Sequence, residues 1–402
     1  MNKPVFEVYY VNKFPWLGSD AMVSVSTMSM YALAKTGIKT TLIAEGNPRT
    51  DCDRILREHF GLEPDSNFRV RLFKRTFFNS IKCTPKFYLR ACVTILHHRR
   101  RDLKTVVISR NTTFLPWLAV LKWLFGCTVF FESHTYHGTH VFPGIPVFSQ
   151  RRFFSMSNQY YWIERLFMNA CDGLICQAGL QRELFNRDFV RIPTETIPHG
   201  SQLRSGNYAG VPESHRQMRK RIVYIGNYFL HLDTDIIFDA LAQCKDQGIT
   251  FLWIGVQESE RPRLMKEAVR RGIGGLCDFI GWMGHQSMLE RLRSEAGTGI
   301  VLYRPSLHCS ALVSPTKIFD YFAAGLPVIG PDFPSVTDHV RNGVDGVIYK
   351  AENVSSLVKA IEEIFDDETN YRTLRMNAMA AAHRCSWDNR AEKFIAFAEK
   401  CL

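Results

Sequence analysis

The residues best suited to chemistry lie in one short segment, Ser314 to Gly330, with the sequence SPTKIFDYFAAGLPVIG. Ser314 is a typical N-cap residue, Pro315 suits the first helical position, and Gly325 suits the end of the same helix. The N-terminus of such a helix offers unpaired backbone N–H groups and a partial positive charge, which together favour anions. Lys317 adds a full positive charge to the first turn. The segment therefore predicts a site for a diphosphate group.

Asp320 follows Lys317 by about one helical turn, so both side chains belong to the same end of the predicted helix. The carboxylate of Asp320 can accept hydrogen bonds from ribose hydroxyl groups. Together with the backbone of Ser314, Pro315 and Thr316, these side chains predict a nucleotide site.

The elements that position this helix are strands and helices in regular alternation. Short β-branched runs alternate with amphipathic segments of helical length, which is typical of parallel α/β layers. In the first half of the chain, strands are predicted at Phe6–Val11, Thr40–Ala44, Thr105–Ser109 and Thr128–Glu132. A second series is predicted at Arg221–Gly226, Thr250–Gly255, Asp278–Gly281, Gly299–Tyr303 and Pro327–Gly330.

The second series of strands and the length of 402 residues indicate two domains, because single cores rarely grow beyond about 250–300 residues. We expect a first Rossmann-like domain over residues 1–205, a second over residues 206–385, and a linker near residues 201–219. The last segment, 386–402, has the apolar periodicity of an amphipathic helix.

The longest apolar stretch, Phe114 to Phe131, contains Pro116, Lys122 and Gly126. These residues argue against a membrane span and favour a buried helix followed by a buried strand.

The eleven cysteines are scattered singly, without a Cys-x-x-Cys pair, and the histidines form no cluster at metal-ligand spacing. We therefore expect reduced thiols, no metal site and a cytoplasmic location.

Positive charge is concentrated in the first half of the chain. Residues 1–205 carry 27 Lys and Arg against 15 Asp and Glu, whereas residues 206–402 carry 23 against 24. The excess is densest from Arg69 to Lys104, where eleven Lys or Arg and several aromatic residues accompany one acid, Asp102. Such a segment suits an anionic membrane surface, and a solvated basic face is the alternative. No recognition motif for nucleic acid accompanies it, so we do not expect nucleic-acid binding.

The predicted nucleotide site resembles the donor-binding helix of the retaining GT-B glycosyltransferases (glycosyl transferases group 1, family 4-like). The pattern of that family has two glutamates separated by seven residues, followed by an Ala-Gly-x-Pro-Val-Ile run. Here Asp320 stands at the second glutamate, and residues 324–329 match the run.

The resemblance implies two Rossmann-like domains that face across a cleft, with the C-terminal helix crossing back to the first domain. It also implies that the first domain binds the acceptor and the second binds the nucleotide-sugar donor. The pair Gly18 and Ser19 resembles the glycine turn that relatives place at the donor phosphates. Glu132-Ser133-His134 resembles their Glu-x-His motif, in which the histidine contacts the donor sugar.

Three further residues are implied at the donor site of the second domain. Gly226 and Asn227 follow the strand that ends at the diphosphate in relatives. Trp282 lies where relatives hold the base, and it either stacks on the nucleobase or packs as a buried side chain.

The chain departs from the family pattern at three positions. Leu312 replaces the first glutamate, which usually meets the transferred sugar. Asn227 and Leu232 replace an Arg and a Lys that neutralise the diphosphate in relatives. The candidates for supplying the missing charge are Lys317, Arg304 and His231.

The resemblance implies a transferase that moves a hexose or related sugar from a nucleotide diphosphate to a saccharide or lipid-linked acceptor in envelope or surface polysaccharide synthesis. Retention without an enzymatic nucleophile, a metal or a cofactor is implied, with His134, Lys317 and Arg304 as the catalytic residues. A GT-B partner subunit that has lost catalysis and a GT-B nucleotide-sugar epimerase are the alternatives.

Overall fold

The computed structural model describes residues 6–18, 21–74, 77–78, 81–82, 84–137, 156–202, 220–228, 232–306 and 308–402. The chain divides into two compact units. The first extends to Pro198 and also contains Trp387–Leu402, and the second contains His199–Ser386. The predicted domain boundary, between residues 205 and 206, lies outside the described residues.

The first unit is built on a sheet of seven parallel strands. In spatial order they are β3 (Phe68–Phe73), β2 (Thr40–Glu45), β1 (Phe6–Pro15), β6 (Lys104–Ser109), β7 (Thr128–Glu132), β8 (Gly173–Cys176) and β9 (Thr194–Thr196). The hairpin strands β4 (Phe77–Phe78) and β5 (Ile81–Lys82) form a separate antiparallel pair. The chain order reverses between β1 and β6, and in open parallel sheets ligands bind beyond the carboxyl ends of the strands at such a point.

Helices cover this sheet because its central strands are buried on both faces, as is usual in parallel sheets. The helices are α1 (Ala21–Lys35), α2 (Cys52–Ile55), α3 (Thr84–His98), α4 (Leu115–Phe125), α5 (Met156–Phe167) and α6 (Gly179–Asp188). Of these, α3 contacts α4, and α4 contacts α5. The stretch Phe114 to Phe131 thus forms a helix and a strand, as predicted. The prediction of a buried helix is wrong for its outer face, where Trp123 and Leu124 are exposed.

The last helix, α14 (Trp387–Cys401), packs in the first unit, as the resemblance implied. Phe394 and Phe397 place their rings edge-on against Phe130 of β7. The guanidinium of Arg390 donates a hydrogen bond to the carbonyl oxygen of Ile197 and forms a 2.9 Å ion pair with Glu132. Both apolar and charged contacts therefore fix this helix to the sheet.

The second unit is built on six parallel strands. In spatial order they are β12 (Cys277–Ile280), β11 (Thr250–Ile254), β10 (Arg221–Ile225), β13 (Thr298–Ile300), β14 (Val328–Pro331) and β15 (Gly346–Tyr349). Its helices are α7 (Thr234–Gln243), α8 (Arg261–Arg270), α9 (His285–Glu295), α10 (Thr316–Ala323), α11 (Pro334–Thr337), α12 (Val354–Phe365) and α13 (Glu368–Arg384). Here the chain order reverses between β10 and β13. The predicted strands of the second series are all present, with ends that differ by a few residues.

Among the residues that the structure describes, no helix is both long and apolar enough to cross a membrane. No disulfide joins the ten described cysteines, and seven of them are buried.

Candidate functional site

Helix α10 is held at the point where the order of the second sheet reverses. The hydroxyl of Tyr321 accepts a hydrogen bond from the backbone N–H of Ile225 and donates one to the carbonyl oxygen of Ile300, both at 3.1 Å. These two residues end β10 and β13. A side chain at Gly299 would overlap the Tyr321 ring, because its Cβ would lie 2.2 Å from the ring. The glycine and the tyrosine together seat the helix.

The N-terminus of α10 has no side-chain cap. Pro315 is the N-cap residue, with extended backbone, and the helix begins at Thr316. The prediction that Ser314 caps the helix is wrong. Its hydroxyl instead accepts a hydrogen bond from the N–H of His199 and pairs with Nε2 of His339. The predicted anion site therefore keeps its backbone N–H groups unoccupied by a capping side chain.

Lys317 is a buried cation between the two strands of the reversal point. Its Nζ lies 3.2 Å from the hydroxyl of Tyr224, on β10. The ammonium also lies over two rings, 4.6 Å from the centroid of Tyr224 and 4.9 Å from that of Tyr303. Burial disfavours its charge and lowers its pKa to about 8. A cation with this environment gains from an anionic ligand.

Asp320 is paired with a histidine from a neighbouring helix. Nε2 of His285, the first residue of α9, lies 2.8 Å from the carboxylate of Asp320. Burial opposes the charged form of the imidazole, but the charge of Asp320 and its hydrogen bond outweigh that effect and raise the pKa of His285. Both side chains remain partly accessible. The pair fixes the orientation of the carboxylate predicted to bind a ribose.

The end of β10 brings backbone to the same edge. Gly226 has φ +128°, a conformation that side chains rarely adopt, and Asn227 beside it is exposed. The carbonyl oxygen of Gly226 accepts a 2.8 Å hydrogen bond from Nε1 of Trp253. A Cβ at Gly255 would lie 3.2 Å from the backbone of Gly226. The turn after β10 is thereby fixed.

Two of the three positions that replace the charged residues of the family are apolar and buried, and the third is the exposed Asn227. Leu312 and Leu232 are both 1% exposed, and Leu232 forms an isolated antiparallel bridge with Tyr303. Neither position leaves space for a charged group without rearrangement of the core.

Trp282 follows β12 and is 60% exposed. The alternative of a buried packing tryptophan is therefore wrong, and stacking on a base stays a prediction.

Arg304 lies against acids at the start of α7. Its guanidinium is 2.9 Å from Asp235 and 3.7 Å from Asp233, and Asp233 caps that helix. These ion pairs give Arg304 a structural partner, and its predicted catalytic role stays untested. The other candidate cation, His231, lies outside the described residues, as does Ser19. Gly18 lies in a tight turn after β1, where its N–H bonds to the carbonyl oxygen of Pro15.

In the first unit, His134 follows β7 and forms a hydrogen bond with Arg110, a residue that the sequence analysis did not single out. Nη2 of Arg110 lies 3.3 Å from Nδ1 of His134. A guanidinium can only donate, so Nδ1 must be the acceptor and Nε2 carries the imidazole proton. Nε2 is thus a hydrogen-bond donor.

Arg110 belongs to a buried cluster with an excess of positive charge. It is buried, and its Nε and Nη1 have no hydrogen-bond partner among the described residues. The nearby carboxylate, Glu132, accepts hydrogen bonds from Tyr10, Gln177 and Arg390. Burial opposes its ionisation, yet the charges of Arg390 and Arg110 keep its pKa below the usual range. One carboxylate is thus shared by two guanidinium groups.

Sequence reasoning missed Arg110, His285 and Tyr224. Arg110 and His285 both directly follow predicted strands or their exit loops, which is the position from which ligand residues come in parallel sheets. That positional signal was available for both. Tyr224 was hidden inside a strand and gave no signal.

The fold is that of the GT-B glycosyltransferases, with two parallel sheets of seven and six strands. The structure of HepE from Anabaena, solved with UDP and glucose, matches it with a TM-score of 0.70 over 98% of this chain and all of that chain, at 13% identity.

The sequence of the second unit is similar to known glycosyltransferases. Residues 219–367 match the model of glycosyl transferases group 1. The chitobiosyldiphosphodolichol beta-mannosyltransferase of Candida albicans is 32% identical over 115 residues, 28% of this chain. The putative teichuronic acid biosynthesis glycosyltransferase TuaH of Bacillus subtilis is 29% identical over 217 residues, 51% of this chain. The chain spans 24% and 52% of the lengths of these two relatives.

Proposed function

We propose that the protein transfers a sugar from a nucleotide diphosphate to a saccharide or lipid-linked acceptor. The observation that carries this proposal is the buried Lys317 beside the uncapped N-terminus of α10, at the reversal point of the second sheet. The presence of UDP and glucose in the HepE structure supports a nucleotide-sugar donor.

Each residue of this arrangement has a defined task in the proposed reaction. When the bond between the sugar and the diphosphate breaks, negative charge develops on the leaving diphosphate. Lys317 and the backbone N–H groups of α10 stabilise that charge, and groups fixed in advance for this purpose lower a barrier by several kcal/mol. Asp320, oriented by His285, accepts hydrogen bonds from the ribose. His134 donates from Nε2 to the transferred sugar.

Retention of configuration is part of the proposal. Inversion requires a general base beside the acceptor. Leu312 supplies no carboxylate, and Glu132 is committed to three hydrogen bonds. The leaving diphosphate would then receive the proton of the incoming hydroxyl on the same face, without a covalent enzyme intermediate. The anomeric configuration of the product, measured by NMR, decides this point: an inverted product contradicts it.

The acceptor and the location are also proposals. The Candida relative is named for a saccharide joined to a lipid through a diphosphate, and the Bacillus relative is named for teichuronic acid biosynthesis. Both names favour a saccharide or lipid-linked acceptor in surface polysaccharide synthesis. A peripheral position on the cytoplasmic leaflet, through the basic segment from Arg69 to Lys104, would bring the enzyme to such an acceptor.

The donor claim is tested by thermal shift with UDP-, GDP-, dTDP- and ADP-linked sugars, followed by turnover. One nucleotide should stabilise the protein, and Lys317→Ala and Asp320→Ala should each lose that effect. Lys220→Ala removes an exposed lysine of the same unit and serves as the matched control. Stabilisation by the same nucleotide in all three variants would show that α10 does not bind the donor.

A partner subunit without catalysis is the second candidate, because Leu312 and Leu232 fill the family's charged positions with core side chains. It predicts nucleotide binding without turnover on any acceptor extract. Turnover by the purified chain excludes it.

A further inference from the structure

Three neighbouring helices of the first unit expose large apolar side chains on their outer faces. On α3 and α5 the exposed residues are four apart, and on α4 Trp123 and Leu124 lie three and four residues after Val120, so that each helix has one outward apolar face. They are Leu89 and Val93 on α3, Val120, Trp123, Leu124 and Phe125 on α4, and Trp162 and Leu166 on α5. We refer to these eight residues as the three-helix face.

The concentration of these residues is unusual for a protein surface. Thirteen large apolar side chains are exposed among the described residues, and eight of them belong to the three-helix face. Leu124 is 73% exposed, and Trp123 and Leu166 are each 66% exposed. A surface helix normally turns its polar side outward, and a larger exposed apolar patch marks a site of interaction.

The charge around the face is mainly positive. The three helices contain four Lys or Arg and a single acid, Glu164, which is buried. Of these cations, Lys122 pairs with Asp172 and Arg165 pairs with Asp188, whereas Lys86 and Arg90 are exposed. A cavity of about 120 Å³ beside the C-terminal end of α3 is lined by Lys39, Arg69, Arg71 and Arg100 and by one acid, Glu7. Apolar side chains with cations and without an exposed carboxylate suit a bilayer that contains anionic lipids.

A second copy of this face is a poor match, because two such faces would bring like charges together. Trp123 and Trp162 also favour a membrane, since tryptophan is enriched at the boundary between headgroups and acyl chains.

We propose that the three-helix face docks on the surface of an anionic bilayer and inserts its apolar side chains below the headgroups. The proposal deepens the membrane location given above and rests on it. It extends the contact from the basic segment, which contains α3, to α4 and α5, so that cations attract the lipid and apolar side chains insert into it. Nucleotide binding by the second unit does not depend on this contact.

The test is flotation with vesicles of phosphatidylglycerol and phosphatidylcholine in equal parts, compared with vesicles of phosphatidylcholine alone. The full chain should float with the anionic vesicles, and high salt should reduce the binding only in part, because the apolar contribution is not screened. The double variant Trp123→Glu with Leu166→Glu should bind at least about tenfold more weakly. The control, Val269→Glu with Met376→Glu, makes the same charge change at two exposed apolar residues of the second unit and should bind as the wild type does.

A second measurement reports insertion directly. Lipids with brominated acyl chains should quench the tryptophan fluorescence of the wild type, and Trp123→Phe with Trp162→Phe should lose most of this quenching. The proposal is overturned if the wild type does not float, or if the variant Trp123→Glu with Leu166→Glu binds as well as the wild type. It is also overturned if sedimentation shows a wild-type dimer that the Glu variant disperses. The nucleotide should shift the melting temperature of all three double variants as it does that of the wild type. This result shows that the variants are folded, and it separates failure of the membrane proposal from failure of the donor claim.

Discussion

Replacement of Lys317 by methionine should stabilise the free protein at pH 7 and abolish its response to nucleotide. The side chain is buried, and its pKa is lowered from 10.5 to about 8. At about 1.4 kcal/mol for each tenfold change in proton affinity, the charged ammonium costs the folded state about 3 kcal/mol. Methionine has a similar length without the charge, so it removes that cost. It also removes the hydrogen bond to Tyr224 and the contacts with two rings, which offsets about 1–2 kcal/mol of the gain.

The pH dependence of the wild type follows from the same shift. Below pH 8 the lysine is charged in both the folded and the unfolded states, so the whole cost is present. Between pH 8 and pH 10.5 the unfolded state holds the proton and the folded state does not, so stability rises with pH. The Met variant lacks this rise. An anionic ligand restores the charged form, so above pH 8 binding of a nucleoside diphosphate should be accompanied by proton uptake.

The assay is urea unfolding of the full-length wild type and of the Met variant at pH 7 and pH 10. Thermal shift of both proteins with the nucleotide that stabilises the wild type follows. Loss of more than about 2 kcal/mol in the Met variant at pH 7 would show that the buried ammonium contributes stability. Retention of the nucleotide response in that variant would show that Lys317 does not face the diphosphate. Either result refutes the reasoning.

Three further predictions concern the remaining groups. Arg110→Met should lower kcat on the order of tenfold and leave KM and stability near wild type, since Glu132 keeps Arg390 as its partner. Arg390→Met should mainly lower the melting temperature. Equal losses of stability in the two variants would refute a positioning role for Arg110. The His285–Asp320 pair should stabilise the protein fully below pH 6.5 and lose that effect as the pH rises through the raised pKa of His285, and melting curves of Asp320→Asn should lack this pH dependence. Turnover should be unchanged by EDTA, because Lys317 and α10 supply the positive charge, and a loss restored by Mg²⁺ would contradict this.

The sequence predicted the architecture because the apolar periodicity is local, and the strand exits can be placed from it. It also predicted the helix α10 and the place of Lys317 and Asp320 on it, because Pro315 and Gly325 are local signals for the two ends of a helix; the roles of the two side chains stay predictions. It did not predict the partners of these residues, because His285 and Tyr224 come from other elements and meet α10 only in the folded sheet. The same limit explains Ser314 and Arg304. Ser314 bonds to two histidines far away in the chain, and Arg304 pairs with acids of α7.

The outer face of α4 shows a different limit. An apolar segment of this length is typical of a helix buried on all sides, and the sequence predicted that. In the structure, α4 is covered by the sheet and by its neighbours α3 and α5, and its outer residues remain exposed. Periodicity detects that a helix is apolar all round, but only the fold shows which side remains uncovered.

The two reversal points follow the same physical pattern, each within its own sheet. Arg110 follows β6 beside a carboxylate that already binds Arg390, and Lys317 lies near a carboxylate that already binds His285. In each case one acid is shared by two basic side chains, so positive charge is buried without full compensation. Such burial costs free energy unless a partner of opposite charge is present. Because both positions are those where parallel sheets bind ligands, this uncompensated charge favours an anionic substrate group at Lys317 and a positioning role for Arg110, which bonds to His134.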